Sequence, residues 1–112
     1  MSHRRARVAH ELRERLATIL AQRVADPRLR DAVLTSVEVA ADLGFARVYF
    51  RTLGDVEQTR RAFERARPFL RRQLAEGLRL RRVPELDFRL DDTPDQARRI
   101  EEILAELEED SQ

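Results

Sequence analysis

The chain has 112 residues, 42% of them hydrophobic and 38% charged, so it is long enough for one hydrophobic core and too apolar to be disordered by composition. No apolar run approaches the roughly 20 residues that span a bilayer, and the charged start MSHRRARVAHELRERL holds no apolar secretion signal. The absence of cysteine excludes disulfides and thiolate metal sites, and the expectation is a cytoplasmic protein of one domain, 1–112, with a core over about 4–107.

The net charge of +1 hides a strong segregation. Residues 1–30 carry eight Arg against three acids, and residues 31–59 two Arg against five acids. Residues 60–84 carry nine Arg against two acids, or +7, and residues 85–112 three Arg against eleven acids, or −8. A basic segment beside an acidic one predicts a polyanion-binding face with an acidic region set against it. All 22 basic residues are arginine, which fits a GC-rich coding sequence as readily as selection for phosphate binding, but the segregation is independent of that bias.

In chain order, residues 4–24 read as a helix with Val8, Leu12, Leu16, Ile19 and Leu20 on one stripe. The helix is expected to stop before Asp26-Pro27, with Asp26-Pro27-Arg28 as a turn. Residues 33–40, VLTSVEVA, alternate as a strand with Val33, Thr35, Val37 and Val39 on one side. Asp42-Leu43-Gly44 supplies turn chemistry. Residues 45–53, FARVYFRTL, form a second strand whose covered face is Ala46, Val48 and Phe50, the two strands making an antiparallel hairpin. Asp55 at the N-cap with Gln58 three residues on starts the next helix. Pro68 divides it into segments at about 55–66 and 68–80 with a kink between, Phe69, Leu70, Leu74 and Leu78 forming the buried stripe of the second. Glu85 to Asp91 alternates as a third strand, with Leu86, Phe88 and Leu90 on one face and Asp87 and Asp91 toward solvent. Thr93-Pro94-Asp95-Gln96 starts a last helix with Ala97, Ile100, Ile103, Leu104 and Leu107 inward, and residues 108–112 are a frayed acidic tail. Three strands with helices on one face make an α+β two-layer domain in the order α-β-β-α(kinked)-β-α.

The chemistry that stands out is nucleic-acid binding. Arg65, Arg67, Arg71, Arg72, Arg79, Arg81 and Arg82 crowd the kink, the second helical segment and the following turn, and Arg5 and Arg28 extend the face if the first helix packs beside it. Tyr49, on the strand face opposite Val48, more often covers sheet surface than stacks on a base. His3 and His10 lack a third ligand, so no metal site is expected. Asp87, Asp91 and Asp92 near Glu85 are read as strand and turn residues rather than a magnesium cluster. No nucleophile–base pair, phosphate loop or dinucleotide fingerprint is present, and neither enzyme activity nor a cofactor is expected.

The same order and motifs resemble the ribosome-binding factor A family over nearly the whole chain, about 4–107. The likeness lies in Arg5-x-Arg7-Val8, Asp26-Pro27-Arg28, Asp42-Leu43, Ala46-x-Val48-Tyr49-Phe50, Phe69-Leu70-Arg71 and, most specifically, Leu78-x-Leu80-Arg81-x-Val83-Pro84-Glu85-Leu86-x-Phe88. The resemblance implies a type II KH-like fold without a Gly-x-x-Gly loop, and a helix–kink–helix at Ala-x-Gly. Here Ala66-Arg67-Pro68 takes that place, with proline for glycine. It further implies a monomeric, non-catalytic assembly factor of the cytoplasm that binds the immature 30S ribosomal subunit and 16S rRNA. Such a factor assists late maturation and 5′-end processing, with ribosomal proteins or other assembly factors as further partners and an association with growth in the cold. Two other readings of the residues stay open: a protein-interaction module built on the first and last amphipathic helices, and a general single-stranded RNA-binding KH-like protein.

Overall fold

The computed structural model describes residues 3–77 and 82–92. Its elements are α1 (His3–Gln22), α2 (Pro27–Arg30), β1 (Ala32–Val39), β2 (Phe45–Thr52), α3 (Val56–Gly77) and β3 (Glu85–Leu90). The helix expected after Thr93 lies outside the described residues.

Along α1 the predicted stripe is the buried one: Val8, Leu12, Leu16, Ile19 and Leu20 all enter the core. The segment after it is a full helical turn, α2, rather than a simple turn. Asp26 caps it by accepting from the Arg28 amide at 3.0 Å, and Pro27 sits at the first helical position. The pair Asp-Pro starts helices for the same reason it starts turns. Leu29, buried between its neighbours, is the apolar anchor that holds this short helix in place.

β1 and β2 form the antiparallel hairpin, and β2 buries Ala46, Val48 and Phe50 completely. The β1 phase differs from expectation. Its register shifts between Leu34 and Ser36, so Leu34 faces Phe50 and Val37 faces Val48. The extra residue of the bulge reverses the alternation. Leu34 is therefore buried and Val33 is 63% exposed, instead of sharing a face with Val37 and Val39. In the connecting turn Leu43 takes a left-handed φ of 60° while its side chain packs on the core, and the Gly44 amide donates to Asp42 Oδ1 at 2.9 Å.

β3 lies parallel to β2, Glu85 beside Phe45 through Leu90 beside Phe50, giving the sheet order β1-β2-β3. A parallel pair needs a crossover, and α3 is that crossover. Asp55 caps α3 as expected, accepting from the Gln58 amide at 2.9 Å. From Val56 to Gly77 α3 is one element with Pro68 inside it, not two segments with proline opening the second. Pro68 removes one backbone bond, the one that would reach the Glu64 carbonyl. It does so on the exposed side, while Thr59, Ala62, Phe63, Leu70 and Leu74 hold the opposite side in the core. Phe63 sits between Phe50 (centroids 4.9 Å apart) and Phe88 (4.6 Å apart, stacked), which fixes how the helix is rolled on the sheet.

Asp91 also departs from expectation. It is only 1% exposed rather than on the solvent side. Its amide extends the ladder to Phe50 O at 2.8 Å, and Arg51 Nε donates to its carbonyl at 3.1 Å, so the chain is tied into the sheet through the last residue of the expected strand.

Candidate nucleic-acid interface

The apolar stripe of α3 fixes which arginines look outward. Taking 100° per residue from Thr59, the polar residues fall on two flanks. One flank carries Arg60, Glu64, Arg67 and Arg71, and runs toward β3. The other carries Gln58, Arg61, Arg65 and Arg72, and runs toward α1 and α2.

On the first flank the charges are used inside the protein. Arg67 donates to Glu64 Oε1 at 2.7 Å and lies 5.9 Å from the Phe88 ring centre. Arg71 donates to the Val83 carbonyl at 3.2 Å, tying the helix to the segment that leads into β3. Both arginines are half-buried. Arg60 pairs with Glu57, and that hydrogen bond, with the nearby positive charge of Arg60 and Arg61, holds the Glu57 carboxyl below its ordinary range.

On the second flank Arg61, Arg65 and Arg72 are exposed. Arg28 joins them from α2: Arg28, Gln58, Arg61 and Arg65 together line a cavity of about 200 Å³. Among the described residues, the guanidinium groups of Arg28, Arg65 and Arg72 make no ion pair or hydrogen bond. Arg61 was not among the residues singled out from sequence. Its spacing of three from Gln58 and four from Arg65 was the available signal.

The remaining expected residues are scattered. Arg5 is exposed near the start of α1, and Arg28 follows its end, so the two are separated by roughly 25 Å of helical rise. Arg82 is exposed beside the hairpin turn, where a Cβ on Gly44 would come within 2.8 Å of its Nη2. Arg79 and Arg81 lie outside the described residues.

The outer face of the sheet is charged but balanced. Asp87 pairs with Arg89 at 2.8 Å and Arg47 at 3.5 Å, and the Tyr49 hydroxyl reaches Glu38 Oε2 at 3.5 Å. Arg47, beside the Tyr49 hydroxyl and drawn by Asp87, is held above its ordinary range. His10 is exposed on α1, and among the described residues no group of three or more His, Cys, Asp or Glu is placed to hold a metal ion. Among those residues, too, no helix is long and apolar enough to cross a membrane.

Comparison with known proteins places the fold. The chain is 40% identical over 107 residues to ribosome-binding factor A of Desulfatibacillum aliphaticivorans, a match that covers 93% of this chain and 87% of that one. The crystal structure of ribosome-binding factor A from Thermus thermophilus superposes with a TM-score of 0.73 at 31% identity, over 77% of this chain and 93% of that one. A Thermus thermophilus ribosome-binding factor A homology model, fitted into a cryo-EM map of its complex with the 30S subunit, superposes with a TM-score of 0.63 at 32% identity, over 79% of this chain and 91% of that one. The sequence model of ribosome-binding factor A matches residues 4–104, and the chain belongs to that family.

Proposed function

We propose that this protein is a non-catalytic assembly factor of the cytoplasm that binds the immature 30S subunit through the backbone of 16S rRNA, assists late maturation and 5′-end processing, and then leaves. The observation that carries the reading is the exposed flank of α3, where Arg61, Arg65 and Arg72 face outward and the first two share a cavity with Arg28 that no acid among the described residues lines. The fitted 30S complex of the Thermus relative supports the choice of partner. Guanidinium groups bind phosphate oxygens in pairs, and displacing the counterions around each phosphate drives association. Arg5 and Arg82, exposed elsewhere on the domain, are further candidates for phosphate contact, and Arg79 and Arg81 are candidates by sequence alone. Arg67 and Arg71 act from within: they set the helix against β3 and shape the surface around Ala66, Arg67 and Pro68, the family's kink position, rather than reaching for phosphate. A factor that assists maturation must bind one RNA conformation better than another, and a rigid cationic ridge discriminates by the shape of the backbone it meets.

Co-sedimentation with immature and mature 30S subunits across a salt series tests this. The expected result is preferential binding to the immature particle. With about four phosphate contacts, affinity falls on the order of fifty-fold between roughly 50 and 200 mM salt. No association with either particle at low salt overturns the reading.

A further inference from the structure

We propose that Arg28, Arg61 and Arg65, with Gln58, form a discrete site for one phosphate group, set between α2 and α3. The inference rests on the nucleic-acid reading above and narrows it to a single anchoring contact. Three observations carry it. First, the cavity of about 200 Å³ is lined by three arginine side chains and one glutamine and, among the described residues, by no acidic residue. A water molecule takes about 30 Å³ of liquid, so the space holds a phosphate group with part of its hydration shell.

Second, the two walls are held independently. Arg61, Arg65 and Gln58 share a flank of α3, whose roll is set by Phe63 between Phe50 and Phe88. Arg28 stands on α2, a helix fixed by the Asp26 cap, by Pro27, by the Asp31 amide bonded to the Pro27 carbonyl at 3.0 Å, and by buried Leu29. Asp26, the nearest acid in sequence to Arg28, directs its carboxylate to the Arg28 backbone amide. Three arginines that line one cavity repel one another, and a bound anion relieves that repulsion.

Third, the one competing carboxylate among the described residues is weak. Glu57 approaches Arg61 Nε at 3.5 Å, with the two side chains 53% and 68% exposed. It is engaged more closely by Arg60, on the other flank. Solvent-exposed pairs of this kind are easily exchanged. Arg61 keeps its terminal nitrogens for a planar two-point contact with phosphate, which lysine does not offer. Among the described residues no aromatic side chain lines the cavity, so the site reads phosphate and not base.

The phosphate has two sources, an internal phosphodiester of an RNA strand or a terminal phosphate monoester. The test uses the full chain and two probes. In the first, inorganic phosphate is titrated while the arginine Nε–H signals are followed by NMR. The expected result is saturable shifts at Arg28, Arg61 and Arg65, with none at Arg60. In the second, single-stranded RNA ten nucleotides long, with or without a 5′-phosphate, is titrated against wild type and against R28Q, R61Q, R65Q and the control R13Q. Each site variant is expected to lose roughly fivefold in affinity and to lower the salt slope by about 0.7, at unchanged Tm, with R13Q unaffected. Equal affinity for the two RNAs assigns the site to backbone phosphate, and a preference for the 5′-phosphate assigns it to a strand end. Saturable phosphate shifts without RNA binding leave the anion site standing while removing the nucleic-acid reading. Salt-dependent RNA binding that all three variants retain, with no phosphate shifts at their Nε groups, overturns the site while leaving that reading intact.

Discussion

The two flanks of α3 carry similar numbers of arginines and do different work. Arg67 and Arg71 are spent on Glu64, the Phe88 ring and the Val83 carbonyl, so they join the helix to β3. Arg61, Arg65 and Arg72 face outward, and two of them meet Arg28 across a cavity. A residue's place in a basic segment therefore says little about whether it meets a partner; its phase on the helix decides. That phase is set in the core, not on the surface.

The widest break in the comparison comes from removing what sets the phase. Phe63→Ala empties the space between Phe50 and Phe88, and the expected loss is about 3–5 kcal/mol of stability, read by urea denaturation. A loss below about 1 kcal/mol would mean the roll is fixed elsewhere. The next effect separates the flanks directly. Arg65→Glu with Arg72→Glu is expected to weaken binding to immature 30S subunits on the order of a hundredfold, with a native circular dichroism spectrum and unchanged Tm. Equal loss from the same reversal in a protein that no longer folds would be uninformative, so the Tm is measured on the same sample.

Much of this frame is legible in the sequence, for reasons that can be named. The stripe Val8-Leu12-Leu16-Ile19 and the alternation Ala46-Val48-Phe50 are local patterns with one dominant period, and each folds as that period dictates. The Asp55 cap is equally local, one carboxylate over the next turn's amide. What is not legible depends on contacts far along the chain. The bulge at Thr35 breaks the phase of β1 only because β2 fixes the pairing on both sides of it, so Val33 turns out and Leu34 turns in. Asp91 is enclosed because β2 still pairs with the chain beyond Leu90. The split between Arg65 and Arg67 depends on the stacking of three phenylalanines drawn from β2, α3 and β3. Pro68, the loudest local signal in the helix, is absorbed because it falls opposite that stack.

A smaller effect reverses the sign of the comparison. Arg67→Ala and Arg71→Ala are expected to act on stability before affinity. Losing the Glu64 pair and the ring contact, or the bond to the Val83 carbonyl, lowers unfolding free energy by about 1 kcal/mol each. RNA affinity at low temperature, where both variants stay folded, is expected to change less than about threefold. A larger drop in affinity than in stability would move these residues onto the binding face.

The smallest effect concerns Glu57, which among the described residues is the acid that touches both flanks. Glu57 holds Arg60 and, more loosely, Arg61. Glu57→Gln removes that competitor, so RNA affinity is expected to rise about twofold at neutral pH through Arg61 alone. The direction of the carboxyl shift sets the pH window. Because Arg60 lowers the Glu57 pKa from its usual 4.5, the carboxylate persists through mildly acidic conditions. Its contribution is present above the ordinary carboxylate range and is lost only as pH falls through the lowered value. The ratio of variant to wild-type affinity is therefore expected to stay flat between about pH 5 and 8 and to approach one only under more acidic conditions. Fluorescence anisotropy with the same oligonucleotide at several pH values measures it. A ratio that changes within the flat window would show that a group other than Glu57 restrains Arg61, and that the flanks are less separate than the helix phase makes them.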